Sequence, residues 1–205
     1  MNNTSQPHPG LMDNLSGALD IMLGRASGMA KIDHSATGFW MSFWGIVLMV
    51  LIDASALSLV YNVSPTAANE AGVSKSVYMV VRLCIAVLGY GASFLALFLL
   101  CRTGEEQNRF ADAVIVNNWA APILSLGFLP LIWMSTLATS AAGEGSPPSG
   151  FVLLILTSWV IVTIAGVRIL RTTLQVDLLK AVLFFAVTSG VSIFISEGFQ
   201  SLSGL

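Results

Sequence analysis

The stretch Gly38–Tyr61, GFWMSFWGIVLMVLIDASALSLVY, decides the fold. It exceeds the ~20 apolar residues that cross about 30 Å of hydrocarbon on a helix. A single carboxylate, Asp53, lies inside it. Four further apolar runs follow, at about residues 77–101, 113–138, 151–171 and 177–197. Residues 38–205 therefore read as one transmembrane domain. The expected class is an all-α membrane protein, a five-helix bundle preceded by an N-terminal segment of residues 1–37.

Composition points the same way. Of 205 residues, 55% are hydrophobic and 10% charged, and the mean hydropathy is +0.81. One soluble core cannot bury that much apolar surface. The net charge of −2 and the lack of a basic cluster argue against nucleic acid as a partner. The N-terminal residues, MNNTSQPHPG, lack the basic start of a cleaved signal and are expected to be disordered. After them, Leu11, Leu15, Leu19 and Met22 recur at helical spacing among Asp13, Asn14, Gly17 and Asp20. This amphipathic stretch, ending near Gly24 and Arg25, should lie on a surface of lipid or of protein.

Lysines and arginines set the orientation, because positive flanks are retained in the cytoplasm. Arg25, Lys31, Arg102, Arg109, Arg168, Arg171 and Lys180 fall on one side, and Lys75 and Arg82 on the other. The expectation is a bacterial inner-membrane protein with a cytoplasmic N-terminus and a periplasmic C-terminus. Trp40, Trp44, Tyr61 and Tyr78 mark span ends, whereas Trp119, Trp133 and Trp159 lie deeper and are expected to pack between helices. Small residues four apart, Ala54 with Ser58 and Ala92 with Ala96, weakly suggest close helix approach.

Polar residues within the spans are the candidate sites. Asp53 and Arg82 match in depth within about a turn on the two arms of the first hairpin. They read either as an ion pair or snorkelling arginine that fixes registry, or as a proton- or ion-sensitive carboxylate on a transport path. Asn117, Asn118, Pro122 and Pro130 lie in span three. Each proline frees a carbonyl four residues earlier, so a kink is expected, and the asparagines read as glue between helices or as a substrate site. Arg168, Arg171, Asp177 and Lys180 around the last turn read as a solvated, topology-setting cluster or as a docking surface.

Enzymatic chemistry has little to work with. Neither His8 nor His34 has a cysteine or carboxylate at metal-ligand spacing, and no phosphate loop, zinc-protease helix or nucleophile elbow is written in the chain. Cys84 and Cys101 stand at opposite ends of one span, roughly 25 Å apart on a helix, and cannot bridge. The expectation is a non-enzyme without metal or cofactor.

The approach Arg109–Phe110 into a span with Trp119 and Pro122 resembles the Yip1-type family of five-span membrane proteins. So does the run WVIVTIAGVRILRTTLQVDLLKAVLFF, with Gly166, Arg168 and the pair Lys180–Ala181. The resemblance implies a small membrane protein without catalysis and with an organising or accessory role. The expected partners are membrane lipids and other membrane subunits or a second copy. The alternative is a small transporter or channel component using Asp53, Arg82 and the proline-bearing third span.

Overall fold

The computed structural model describes residues 9–63, 72–102, 104–142 and 149–203. Residues 1–8, within the segment expected to be disordered, lie outside them, as do 64–71, 103, 143–148 and 204–205. The described residues form six α-helices: α1 (Leu11–Met22), α2 (Ala36–Val63), α3 (Lys75–Cys101), α4 (Phe110–Ala142), α5 (Ser149–Leu174) and α6 (Leu178–Ser203). Two 3-10 turns, Ala26–Lys31 and Glu105–Arg109, complete the elements, and the described residues contain no strand. Helices α2 to α6 are each long and apolar enough to cross a bilayer, as the five runs predict. A helix satisfies its own backbone, which lipid cannot do.

Local signals fix the helix ends. The Asp13 carboxylate accepts from the Gly10 amide at 2.9 Å at the start of α1. At its end Gly24, with φ +86°, donates to the Ile21 carbonyl while Arg25 donates to that of Asp20. That double bond is a Schellman ending, and its left-handed residue favours glycine. Ser35 caps α2 by accepting from the Gly38 amide, and Asp177 caps α6 by accepting from that of Lys180 at 2.8 Å.

The packing order departs from the chain order. Helix α2 packs most extensively on α4, and α3 on α6, whereas the sequential neighbours α2 and α3 touch lightly. Close approach occurs where a side chain is missing. Gly45 of α2 lies so near the Asn118 carbonyl of α4 that a Cβ would overlap it, and Gly89 of α3 faces Ser192 and Ser196 of α6. The Ala54/Ser58 and Ala92/Ala96 pairs are only half-buried.

The N-terminal segment is part of the bundle. Ala18, Ile21 and Met22 of α1 form one core with Ile32, Ile115, Val116 and Trp119, reaching Ala165 and Ile169 of α5. The expected lipid or protein surface is thus the bundle itself on this face, while Leu11, Met12, Leu19 and Leu23 remain exposed on the other. Gly17 and Gly28 abut so closely that neither tolerates a Cβ, which folds the 3-10 turn back over α1. A second core joins Leu97 and Cys101 to Leu170, Leu174, Ala181 and Phe184. Trp119 is 2% exposed, but Trp133 and Trp159 are 58% and 53% exposed. Those two tryptophans are therefore more than half exposed, contrary to expectation, and Trp159 borders a groove against Phe128 and Leu131 of α4.

Candidate functional site

Asp53 and Arg82 line one cleft of about 430 Å³, at the end of the bundle away from most of the lysines and arginines. Helices α2 and α3 supply most of the wall; Ile132 of α4 and Ser196 of α6 complete it. Apart from the two charges and Ser196, the lining is apolar, with Ala56, Leu57, Val60, Leu83, Ile85 and Ala86. The matched depth read from the sequence thus brings both side chains to a common space. No ion pair joins them: the salt bridges among the described residues all lie elsewhere.

Each charge has a separate environment. The Asp53 carboxylate interacts with the Ser125 hydroxyl on α4, because the parallel α2 and α4 keep residues 53 and 125 level. The Arg82 guanidinium lies 5.4 Å from the centre of the Tyr78 ring one turn earlier on α3, a cation–π contact. Its Nε is buried and has no hydrogen-bond partner in the chain. Toward the end of the span, the rings of Tyr61 of α2 and Tyr78 of α3 lie 5.7 Å apart, tilted by 46°.

The span-three residues separate into two places. Asn118 is fully buried, and its Nδ2 donates to the Ser42 hydroxyl at 2.8 Å. Ser42 in turn donates to the Phe39 carbonyl at 2.7 Å. Pro122 lacks the amide that would bond the Asn118 carbonyl, and that carbonyl is the group lying against Gly45. The polar joint between α2 and α4 is therefore built from Ser42, Gly45, Asn118 and Pro122. The helix continues through both Pro122 and Pro130.

Asn117 points elsewhere. Its Nδ2 donates back to the Ala113 carbonyl at 2.8 Å, and it borders a cavity of about 190 Å³ with Tyr90, Ser93, Thr188, Ser189 and Ser192. Ser93 donates across to the Thr188 carbonyl at 3.0 Å, holding α3 to α6. The Tyr90 hydroxyl is buried there without a partner. This neutral hydroxyl-lined cavity was not anticipated, because single serines and threonines in apolar helices usually bond their own helix and give no sequence signal.

Around the last turn Arg168, Asp177 and Lys180 take separate partners. Arg168 donates from Nη1 to the Met22 carbonyl at 3.1 Å, clamping the end of α1. Asp177 is the cap of α6, Lys180 pairs with Glu106, and Arg171 is exposed. Arg168 and Lys180 thus each reach another element, whereas Asp177 caps its own helix. His34, without a ligand partner in sequence, bonds Asp112 through Nδ1 at 2.7 Å and the Met29 carbonyl through Nε2 at 2.9 Å. Among the described residues no cluster of metal-ligating side chains occurs. Cys84 and Cys101 are both free.

Compared with known protein families, curated proteins and solved structures, the chain matches none.

Proposed function

We propose that this chain is a small, non-enzymatic transport component that binds its substrate inside the bilayer, in the cleft shared by Asp53 and Arg82. The observation that carries the reading is that two opposite charges face one space without pairing. An isolated charge in a span costs at least ~2.5 kcal/mol on insertion scales. A purely structural pair would close that distance and cancel the cost, whereas a binding site keeps both charges for its ligand. The test is flux into proteoliposomes: Asp53→Asn should leave expression and assembly unchanged and abolish transport. Retained flux in that variant overturns the reading.

A second reading is an accessory or organising subunit of a bacterial inner membrane, as the likeness to the Yip1-type family implies. The exposed tryptophans Trp133 and Trp159 favour it, as anchors for another membrane protein or a second copy. Purification in mild detergent with identification of stoichiometric companions distinguishes the two. For either reading, the seven lysines and arginines at one end against two at the other support a cytoplasmic N-terminus.

A further inference from the structure

We infer that the Asp53–Arg82 cleft binds a phospholipid whose headgroup carries both a phosphate and a primary amine. The inference rests on the binding reading of that same cleft and names its ligand class.

Depth comes first. Helix α2 has 28 residues, so at 1.5 Å per residue it is about 42 Å long, the full bilayer with its headgroup regions. Asp53 lies about 12 Å along the helix from Tyr61, and Arg82 about 10 Å from Lys75. On helices of that length the headgroup layer takes about 6 Å of each end, so Arg82 stands about 5 Å and Asp53 about 9 Å into the hydrocarbon, in the same leaflet. A soluble substrate would have to cross the headgroup layer and enter hydrocarbon to reach them, whereas a lipid already has its acyl chains there and its headgroup need only follow the cleft inward by about 5 to 9 Å.

The chemistry of the cleft fits the same ligand. A guanidinium offers a planar fork of donors suited to phosphate oxygens, and the buried Arg82 Nε lacks any acceptor from the chain. A carboxylate accepts N–H bonds, and the Ser125 interaction leaves Asp53 with acceptor capacity for an ammonium group. The two charges are held apart on different helices, as the two ends of a zwitterionic headgroup are. Leu57, Val60, Leu83 and Ile132 supply an apolar wall for the acyl chains. A trimethylammonium group has no N–H to donate, so an ethanolamine headgroup should be preferred to a choline one.

The experiment compares purified protein titrated with phosphatidylethanolamine and with phosphatidylcholine of identical acyl chains. Binding is followed by native mass spectrometry and by the shift in Tm. Wild type should bind the ethanolamine lipid about tenfold more tightly, the worth of one charge-assisted hydrogen bond. Asp53→Asn should bring the two lipids to equal affinity, and Arg82→Gln should weaken both. Arg82→Lys, which keeps the charge but not the fork, should weaken both less. Equal affinity of wild type for the two lipids overturns the inference. Protection by soluble phosphoethanolamine equal to that by the lipid overturns the lipid as the source. Flux measured on the same preparations separates the two ideas: lipid preference without movement refutes transport and leaves the site, whereas movement without preference does the reverse.

Discussion

Asn118 carries two jobs at one position. Its side chain donates to Ser42, and its main-chain carbonyl, released by Pro122, accommodates Gly45. Replacing it by alanine removes the first and spares the second. Asn118→Ala should lower unfolding free energy by about 0.6 to 1.7 kcal/mol, the measured span for hydrogen bonds between membrane helices. Gly45→Leu should do more damage, because its side chain meets main chain that cannot move aside. A loss of folded monomer in detergent for the leucine variant, against a modest Tm shift for the alanine variant, would check both. Equal effects would show that the side-chain bond, and not the close approach, sets the α2–α4 joint.

At the scale of elements, the first helix and its 3-10 turn behave as a clip on the bundle. Their hold combines apolar burial of Ile21 and Met22, the Arg168 clamp, and ion pairs from Asp20 to Lys31 at 2.7 Å and to Arg25 at 3.2 Å. The hydrogen bond from Lys31 outweighs the opposing effect of burial and, with a lesser bond from Arg25, holds the Asp20 carboxyl below its usual range. A carboxylate with a depressed folded pKa contributes stability above its unfolded pKa of 3.8 and loses it as pH falls through the lower folded value. The protection factor of the Gly28 amide, the intrinsic exchange rate at a given pH divided by the observed one, should therefore be high at neutral pH and fall below about pH 4. Asp20→Asn should abolish that dependence, and an unchanged profile in the variant would assign it to another group. Arg168→Met should speed exchange across residues 14–28 while leaving α3 and α6 protected, because those helices pack on each other away from the clamp.

For the whole molecule, the spans were legible because each is a run of bilayer length, and the observed helices extend those runs at their ends rather than moving them. Their partners were not legible. Helix α2 is apolar on every side, so nothing in its pattern points to α4 rather than α3. The site divides in the same way. Equal depth of Asp53 and Arg82 follows from counting residues, but whether they pair depends on how α2 and α3 are set in the bundle, which hydropathy does not encode. The Arg168–Met22 bond joins residues far apart in sequence and has no local signature. Lysine and arginine placement predicts the topology, and a reporter fused after Leu205 should be active on the periplasmic side. Cytoplasmic activity there would overturn the assigned orientation.

The clip formed by the first helix also sets a timetable. Its buried face is covered by Ile115 to Ala120 and by Ala165 and Ile169, which leave the ribosome long after it does. At 5–20 residues per second, several seconds separate the birth of Ile21 from that of its last neighbour. During that interval its apolar face has only the membrane surface or a chaperone to shelter it. The first helix is thus made before every helix that buries it, and its own packing is complete only once the fifth has arrived.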